Sequence, residues 1–325
     1  MILITGGTGL VGTFLIRKLL EGNEKIRALK RKDSVLPSFD NSKGLLEWVE
    51  GDILDLGFLS SVFDSVEKVY HSAAVVGFLP SQRKDMYKVN IGGTANIVNL
   101  CLEKNSRKLC HVSSVAAINH SLNGLNLDEN SSWTDSSQES PYAISKYLSE
   151  LEVWRGIAEG LKAVIVNPSF ILGPGNGGRS STRIFNYIWD KKPYYTNGGT
   201  GFVDVRDVVD SMLILMESDT ASKRYIVNGT NATFKELFDI IALNFNLPKP
   251  SIRVSPFFSS IAWRVEWLRS LLTGKEPFIT RTSAYIAQKK RFFSNENFCR
   301  DFDFRFRDLS ETVEWACREL QPILS

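Results

Sequence analysis

The stretch Thr5-Gly6-Gly7-Thr8-Gly9-Leu10-Val11-Gly12 decides the fold class of this chain of 325 residues. It follows a short apolar run at residues 2–4 and leads into residues 10–20, whose apolar positions repeat with a helical period. Glycines at positions 6, 9 and 12 form G-x-x-G-x-x-G, and those at 7, 9 and 12 form G-x-G-x-x-G. Glycine permits turns with positive φ and lets backbone N–H groups approach a pyrophosphate at a helix N-terminus. The pattern therefore predicts a strand, a tight loop and a helix that together bind a dinucleotide.

The first half of the chain continues as an alternation of apolar runs and helical patterns. Further strands are predicted at residues 25–30, 45–49, from 69, 109–112 and 163–166, and long helices at 89–102 and 142–159. Because these strands are apolar throughout, the sheet is expected to be parallel and covered by helices on both faces. The sequence thus predicts an α/β fold with a Rossmann-type, doubly wound parallel sheet.

The pattern loosens after about residue 167, where the predicted elements are helices at 207–217, 234–245, 259–272 and 309–320 and a strand at 224–227. We expect residues 1–166 to form the dinucleotide-binding Rossmann domain, with residues 202–228 returning to it. Residues 167–201 and 229–325 are then expected to form a smaller, mostly helical C-terminal lobe that binds the substrate.

The charge balance and composition exclude several classes of protein. Lys and Arg number 39 and Asp and Glu number 36, and this net charge of +3 is too small to indicate nucleic-acid binding. No apolar stretch approaches the ~18 residues of a spanning helix, so no transmembrane segment is predicted. The first predicted strand begins directly after Met1, which leaves no room for a signal peptide, and a cytoplasmic location is expected. The four cysteines and three histidines lack the spacing of a metal site, and no metal is predicted.

The residues at the end of the second predicted strand indicate which dinucleotide binds. Enzymes that use NAD usually place an acid here, which binds the ribose 2′-hydroxyl. This chain has Lys30-Arg31-Lys32 followed by Asp33. Cations at this position attract the 2′-phosphate of NADP, so we predict NADP(H) as the cofactor, with Lys30 and Arg31 at the phosphate. Two alternatives stay open: a basic turn that is only solvated, or an Asp33 that binds the ribose of NAD(H).

Several further segments follow one another along the chain. They are Gly51-Asp52-Ile53, His71-Ser72-Ala73-Ala74, Asn90 with Gly93-Thr94, Ser113-Ser114, Tyr142-Ala143-Ile144-Ser145-Lys146, Val166-Asn167-Pro168 and Gly173-Pro174. Together with the glycine-rich stretch, they resemble the extended short-chain dehydrogenase/reductase family of the NAD-dependent epimerase/dehydratase superfamily. The resemblance runs from residue 1 to about 210 and is looser beyond. The residues expected to contact the cofactor are Thr5, Gly6, Gly9, Leu10, Val11, Gly12, Lys30, Arg31, Asp52, Ile53, Ala73, Ala74, Tyr142, Lys146, Asn167 and Pro168.

The spacing of Tyr142 and Lys146 indicates their chemistry. They are four residues apart in a helical pattern and therefore share one helix face. A tyrosine phenol has a pKa near ~10, and a nearby ammonium is expected to lower that pKa. Tyr142 can then move the proton of an alcohol/carbonyl pair, while a serine hydroxyl holds the substrate oxygen. The residue pattern does not choose between Ser113 and Ser114; the family resemblance implies Ser114, and it implies that Lys146 also binds the nicotinamide ribose.

Three other polar residues carry weaker predictions. Asn90 is expected to serve the catalytic site by anchoring a kink in the backbone or a water relay, and a helix cap is the alternative. His71 and His111 are expected to be hydrogen-bonded residues of the core rather than ligands.

Three function classes fit the motifs. The first is an NADP(H)-dependent oxidoreductase that interconverts a ketone and a secondary alcohol on an apolar small molecule, resembling dihydroflavonol reductases and hydroxysteroid dehydrogenases. The second is a nucleotide-sugar epimerase or dehydratase with tightly bound NAD. The third is a non-enzymatic NADP-binding regulator, which is disfavoured because Ser114, Tyr142 and Lys146 are all present.

Two features favour the first class over the second. Asn167-Pro168-Ser169 resembles the reductase branch of the family, and Gly199-Thr200-Gly201-Phe202 lacks the arginine that sugar-nucleotide relatives usually place there for the diphosphate. The nearby cations that leave the second class open are Arg179, Arg183 and Arg206.

The lobe near residues 256–274 is rich in aromatic side chains, namely Phe257, Phe258, Trp263 and Trp267. These rings line an apolar substrate pocket, pack in the core, or touch a membrane surface with the help of Arg264 and Arg269, and the sequence does not decide among these possibilities. The expected partner is a small carbonyl or alcohol, and formation of a homodimer stays open.

Overall fold

The computed structural model describes residues 1–39, 42, 44–77, 79–118, 126–134, 139–175, 182–274, 277 and 279–324. The strands in these ranges are β1 (Ile2–Thr5), β2 (Ile26–Lys30), β3 (Leu46–Glu50), β4 (Lys68–His71), β5 (Lys108–Val112), β6 (Ala163–Pro168), β7 (Phe170–Leu172), β8 (Tyr194–Tyr195), β9 (Gly199–Asp204), β10 (Lys223–Val227), β11 (Thr230–Thr233) and β12 (Ile252–Arg253). The helices are α1 (Leu10–Glu21), α2 (Leu56–Val62), α3 (Arg83–Met86), α4 (Gly93–Glu103), α5 (Pro141–Ala158), α6 (Thr182–Trp189), α7 (Val205–Glu217), α8 (Phe234–Asn244), α9 (Pro256–Thr273), α10 (Arg281–Ile286), α11 (Glu296–Phe302) and α12 (Leu309–Leu324). A π-helical turn covers Tyr87–Gly92, and 3₁₀ helices cover Pro80–Gln82 and Val115–Ala117.

The central sheet of the described residues has seven strands in the order β10–β6–β5–β4–β1–β2–β3, and all of its pairings are parallel. Successive side chains of a strand point to opposite faces of the sheet. In β1, Ile2 and Ile4 therefore join one core with α1 and α7, whereas Leu3 joins a second core with α2, α4 and α5. Helices thus cover both faces, which confirms the predicted α/β fold with a doubly wound parallel sheet.

The strand order reverses at β1. From β1 the chain adds β2 and β3 on one side, and it then returns to add β4, β5, β6 and β10 on the other. Ligands of such sheets bind in the crevice at the carboxyl ends of the strands that flank the reversal. The expected site therefore lies beyond Thr5 and His71, the last residues of β1 and β4.

The C-terminal lobe has a core of its own. Helices α6, α8 and α12 contribute Phe185, Leu237 and Val313 to it, and the three-stranded sheet β11–β9–β7 covers one side. This arrangement confirms the smaller, mostly helical lobe. The strand β10 pairs with β6, so the chain rejoins the central sheet within residues 202–228. The division of the remaining residues between the two lobes stays a prediction.

The structure departs from the predicted helix at residues 89–102. A π-helical turn at Tyr87–Gly92 precedes α4, which starts at Gly93. A π-turn has i→i+5 hydrogen bonds and is frequent at functional sites, but its hydrophobic spacing is too close to that of an α-helix to be read from sequence. Within the described residues, no helix has both the length and the apolar character needed to cross a membrane.

Candidate active site

The loop between β1 and α1 requires glycine at two positions. Gly6 has φ +74°, and a Cβ there would lie 2.7 Å from the backbone nitrogen of Ala73. A Cβ on Gly12 would collide with the Gly6 carbonyl oxygen, which itself accepts a 2.9 Å hydrogen bond from the Gly9 backbone N–H. Side chains at these positions would force apart the loop, the first turn of α1 and the segment after β4. The glycines thus keep a narrow backbone cradle.

This cradle fits the diphosphate of a dinucleotide. Gly9 is the N-cap of α1 and makes no side-chain cap bond, and the first turn of this helix contains no acid. The N–H groups of the first turn of a helix lack partners within the helix, and they attract anions together with the positive end of the helix dipole. Leu10 and Val11 stand in that turn, so their backbone N–H groups are the donors that would hold the diphosphate.

A chain of hydrogen bonds fixes the segment after β4. Thr5 Oγ1 lies 2.7 Å from His71 Nδ1, and His71 Nε2 lies 2.9 Å from Thr94 Oγ1. The Ala73 backbone N–H donates to Thr5 Oγ1 at 3.3 Å. Burial lowers the pKa of His71 to about 3, so its ring is neutral, as its predicted place in the core requires. Ala73 and Ala74 are half-buried beside the glycine loop, where the sequence predicts cofactor contacts.

Asn90 anchors the same segment from the π-turn. Its Oδ1 accepts from the Val75 backbone N–H at 2.7 Å, and its Nδ2 donates to the Val75 carbonyl at 3.0 Å and to Ser145 Oγ at 2.9 Å. Ser145 lies in α5, between Tyr142 and Lys146. Asn90 therefore links the cofactor-side segment to the helix with the Y-x-x-x-K motif. The alternative of a helix cap is wrong, because the N-cap of α4 is Gly92.

His111 lies in the core as predicted, but it lacks the predicted hydrogen bonds. It is buried in β5, and its ring lies 5.2 Å from that of His71. Neither ring nitrogen has a hydrogen-bond partner among the described residues, so the expectation of a hydrogen-bonded histidine is wrong here. Burial holds the pKa of His111 well below its usual range, and the ring is neutral.

The basic run after β2 separates into residues with different surroundings. Lys30 Nζ donates to Glu50 Oε2 at 2.6 Å across the β2–β3 pair. Arg31 is exposed, and its guanidinium has no hydrogen bond or ion pair with the part of the chain that the structure describes. Lys32 is exposed as well and favours the ionised form of Glu50, whose pKa is lowered chiefly by Lys30. Of the two predicted phosphate ligands, Arg31 is thus the more available.

The turn after β3 packs against the start of α4. Ile53 is buried and lies so close to Gly93 that a Cβ on this glycine would collide with it. Asn96 Nδ2 donates to the Ile53 carbonyl at 3.0 Å, and Asp52 Oδ1 accepts from the Leu54 backbone N–H at 2.9 Å. These contacts hold the turn with Asp52 and Ile53, both predicted to contact the cofactor, against the start of α4.

Tyr142 and Lys146 lie in the first turns of α5. The N-terminus of this helix is well defined by its capping residues. Ser140 is the N-cap, with its Oγ accepting from the Ala143 N–H at 3.0 Å, and Pro141 occupies the first helical position. Lys146 is buried and donates from Nζ to the Val112 carbonyl at 2.8 Å, at the end of β5. The Ser114 hydroxyl, two residues beyond that strand, hydrogen-bonds the Tyr142 phenol.

The structure distinguishes the two serines that the sequence left open. Ser113 is buried and donates from Oγ to Glu150 Oε2 at 2.7 Å, away from the phenol. Ser114 presents its hydroxyl to Tyr142 and also accepts from the Ala116 N–H at 3.1 Å. Ser114 is therefore the serine that stands with Tyr142, the arrangement that the family resemblance implies.

The pKa values of the pair differ from the sequence expectation. Burial raises the pKa of Tyr142 above its usual value, and the Ser114 hydrogen bond offsets only part of this effect. Burial also lowers the pKa of Lys146 to about 8, although the nearby Glu150 carboxylate raises it again in part. The predicted lowering of the tyrosine pKa by the lysine is thus absent, because the Lys146 ammonium is directed at the Val112 carbonyl. At neutral pH the phenol is protonated and suited to donating a proton.

Glu150 is a residue of the site that the sequence reasoning missed. It is buried one helical turn after Lys146, and it accepts hydrogen bonds from Ser113 Oγ, Asn167 Nδ2 (2.9 Å) and Arg224 Nη1 (3.1 Å). Trp154 Nε1 donates to the same carboxylate at 3.3 Å. The signal was the K-x-x-x-E spacing, which places a carboxylate one turn from the lysine. Glu150 therefore ties α5 to the ends of β5 and β6.

Asn167 and Pro168 end β6 beside this network. Asn167 Nδ2 also donates to the Ser114 carbonyl at 3.0 Å, so the asparagine fixes the backbone of the predicted catalytic serine. Its buried Oδ1 has no partner among the described residues. The loop after β7 approaches the cradle, since Cβ atoms on Gly173 and Gly175 would lie 3.7 and 3.6 Å from the Leu10 side chain.

The aromatic residues of α9 do not pack in the core. Phe257, Phe258 and Trp267 are more than half exposed, at 69%, 63% and 56%, and Trp263 is half-buried. Core packing is therefore the wrong interpretation for the three exposed rings. Among the described residues, no group of three or more His, Cys, Asp or Glu side chains is placed to bind a metal ion.

Comparisons with known proteins agree with this geometry. The chain is 30% identical to "Sterol demethylase protein B" of Methylococcus capsulatus over 258 residues, which covers 78% of this chain and 77% of that protein. It is 29% identical to "Anthocyanidin reductase" of Arabidopsis thaliana, covering 73% and 78% of the two chains. The crystal structure of gox2253 is similar over 99% of this chain and 98% of that chain, with a TM-score of 0.82 and 27% identity.

The family model for the NAD dependent epimerase/dehydratase family matches residues 2–228. This span contains the glycine cradle, the Asn90 anchor and the pair formed by Tyr142 and Lys146. The chain therefore belongs to the NAD-dependent epimerase/dehydratase family and is an NAD(P)-dependent oxidoreductase of the extended short-chain dehydrogenase/reductase type.

Proposed function

We propose that this enzyme uses NADP(H) to interconvert a ketone and a secondary alcohol on an apolar, ring-bearing small molecule. The observation that carries the choice of substrate is the position of Arg206. Its guanidinium makes two hydrogen bonds to the buried Asp204, at 3.0 and 2.6 Å, and lies 3.9 Å from the ring centre of Trp315. A bidentate, stacked arginine of this kind is committed to the fold and is not available to a nucleotide diphosphate.

Two other cations were alternatives for a diphosphate site. Arg183 is exposed in α6, and Arg179 lies outside the described residues. Burying two phosphates requires paired cations or several donors. With Arg206 committed elsewhere, the lobe offers less for a sugar nucleotide than for an uncharged ring system. Two relatives support the same choice, because the one from Methylococcus is named a sterol demethylase protein and the one from Arabidopsis an anthocyanidin reductase.

The catalytic roles follow from the geometry at the start of α5. The glycine cradle and Lys146 would hold the dinucleotide, whose reduced nicotinamide would supply a hydride to the carbonyl carbon and whose oxidised form would accept one from the alcohol carbon. Ser114 donates a hydrogen bond to the substrate oxygen and holds it beside the Tyr142 phenol. As the C=O double bond becomes single, Tyr142 gives its proton to that oxygen, and in the reverse direction it takes the proton back. Lys146, with one donor held by the Val112 carbonyl, binds the nicotinamide ribose with its remaining donors.

Preference for NADP(H) rests on Arg31. Its exposed guanidinium follows the last residue of β2, where the adenosine ribose of a bound dinucleotide is expected. Each charge-assisted contact to a 2′-phosphate contributes ~1.5–3 kcal/mol, or about 10- to 100-fold in affinity. Titration calorimetry should therefore give a lower Kd for NADPH than for NADH, and Arg31→Ala should erase much of the difference. Arg17→Ala, an exposed arginine of α1, is the matched control, and equal wild-type affinities for both cofactors would contradict the proposal.

Substrate class is tested by two parallel incubations. In the first, NADPH oxidation is followed with a panel of apolar ring ketones; in the second, UDP- and dTDP-sugars are incubated without added cofactor and analysed for epimers or dehydrated products. We expect turnover in the first and none in the second. Sugar turnover without ketone reduction would establish the nucleotide-sugar epimerase or dehydratase instead. NADPH binding without turnover of any compound, in either assay, would favour a non-enzymatic regulator.

A further inference from the structure

Helix α9 presents an apolar face to solvent. Of its 18 residues, only Ser259 is buried. The exposed apolar side chains have exposed fractions between 43% and 79%, and they are Phe257, Phe258, Ile261, Val265, Trp267, Leu268, Leu271 and Leu272. Scattered surface apolar residues are normal, but a continuous patch on one helix marks a surface that another phase or molecule covers.

These side chains form one stripe. At 100° per residue, all of them except Trp267 fall within about 140° of the helix circumference. Ser259 lies on the opposite side, where its Oγ contacts the Ala284 carbonyl at 3.5 Å. A second contact, from Gln288 Nε2 to the Val254 carbonyl at 3.0 Å, holds the residue that precedes the N-cap of α9. The helix is thus attached to the protein by its back, with the apolar stripe directed outward.

The surrounding segment is strongly basic. Residues 251–291 contain eight Lys and Arg against two Asp and Glu, a net charge of +6. Because the whole chain carries +3, the remaining residues carry −3. Within α9, Arg264 lies inside the arc of the stripe, and Arg269, which pairs with Glu266, borders one edge. Positive charge is therefore concentrated in the segment of the chain that contains α9.

We infer that α9 and its basic surroundings dock this protein on an anionic lipid surface, with the apolar stripe in the acyl boundary and the cations at the headgroups. An interfacial helix combines an apolar face with Lys and Arg beside it, and lies in the plane of the membrane. Trp267, beside the stripe and 56% exposed, has the amphipathic ring that favours the membrane interface. The helix does not meet the requirements for crossing a membrane, so it lies on the surface.

Charge decides between a lipid surface and a second copy of this chain. In a two-fold dimer the same patch meets itself, so the +6 segments of two copies would lie against each other. Like charges at close range oppose such an interface. An anionic bilayer instead supplies the complementary charge along with the apolar phase. This inference does not depend on the proposed function.

The test is co-sedimentation of the full chain with lipid vesicles. Phosphatidylcholine vesicles with about one phosphatidylglycerol in three lipids should sediment the protein, and pure phosphatidylcholine should do so much less. Leu268→Glu combined with Leu272→Glu should weaken binding by at least about 10-fold, since each leucine leaves the acyl boundary. Leu243→Glu is the matched control, because Leu243 is equally exposed but lies in α8. Arg264→Gln should reduce binding to the anionic vesicles by about five-fold and leave binding to neutral ones unchanged.

Folding and self-association are measured on the same variants. The substituted leucines are exposed, so the thermal unfolding midpoint should equal that of the wild type. Absence of sedimentation with anionic vesicles, or sedimentation that the leucine variants do not change, would overturn the inference. A concentration-dependent dimer in analytical ultracentrifugation that Leu268→Glu abolishes, without vesicle binding, would assign the face to a second copy instead.

Discussion

Replacing Glu150 by glutamine tests whether the buried carboxylate behind Lys146 positions the catalytic helix. The side chain is 2% exposed, and each of its two oxygens accepts two hydrogen bonds. Glutamine keeps the shape and one oxygen, but it removes the charge and turns the other oxygen into a donor. The new NH2 group must then face one of two pairs of donors. If it faces Arg224 and Trp154, donor meets donor on both. If it faces Asn167 and Ser113, only the Ser113 hydroxyl can rotate to accept its hydrogen bond.

The size of the loss follows from the partners. Removing one member of a buried ion pair costs ~3–5 kcal/mol, because the other charge is left without compensation. The Arg224 side chain is 19% exposed, so water relieves part of this cost, and the remaining amide oxygen relieves more. We therefore expect Glu150→Gln to lower the free energy of unfolding by ~2–4 kcal/mol. It should also lower the pKa of Lys146 further, since the Glu150 carboxylate favours the ammonium.

Urea unfolding and the pH dependence of NADPH binding measure the two effects, and neither needs a known substrate. Glu152→Gln is the matched control, with the same substitution on the same helix. Glu152 pairs with Arg155 at the surface, and Arg155 keeps Glu159, so the cost should stay within ~0.5 kcal/mol. For the Glu150 variant, NADPH affinity should begin to fall at a lower pH than in the wild type. Equal unfolding energies for the two variants, with one common pH profile, would refute the positioning role.

Three further predictions follow from the same site. Tyr142→Phe should reduce turnover by ~10²–10⁴-fold and leave NADPH affinity nearly unchanged in calorimetry, because it removes the proton and keeps the ring; a near wild-type rate would mean that another group moves the proton. Lys146→Ala should impair both turnover and NADPH affinity, and a loss of turnover alone would contradict contact with the ribose. Gly12→Ala should abolish dinucleotide binding, since its Cβ would collide with the Gly6 carbonyl, whereas Gly22→Ala meets only an ordinary 3.4 Å contact and should bind normally.

The sequence predicted the elements whose pattern reports their surroundings. Strand β1 and helix α1 were predicted within one residue of their bounds, because β1 is buried along its whole length and α1 buries only one face. The glycine positions were readable for a related reason, since only a residue without Cβ fits where Gly6 and Gly12 meet neighbouring backbone. These features depend on the space for a Cβ atom and on the spacing of buried residues along an element. Both can be read from a single sequence.

Other parts of the site depend on contacts that sequence spacing does not contain. The pairing of Lys30 with Glu50 requires the register of β2 against β3, and this pairing divides a basic run that looks uniform in sequence. The network at Glu150 joins residues from β6, β10, α5 and the segment directly after β5, so no local pattern indicates it. The exposure of α9 was also hidden, because an amphipathic stripe has the same period whether it faces the core or the solvent.

The lowered pKa of Lys146 links the stability of the fold to cofactor binding and turnover through a single titration. Burial lowers the pKa of its ammonium from the ordinary 10.5 to about 8. Between these two pH values the unfolded chain therefore binds this proton more tightly than the folded protein does. As the pH rises through this window, Lys146 should contribute stability to the folded state, by up to ~3 kcal/mol. Binding of the ribose is strongest with the charged form, so NADPH affinity, and turnover with it, should fall over the same window. A buried structural lysine would show the first effect without the second, so opposite changes in stability and affinity above about pH 8 would mark Lys146 as a functional cation.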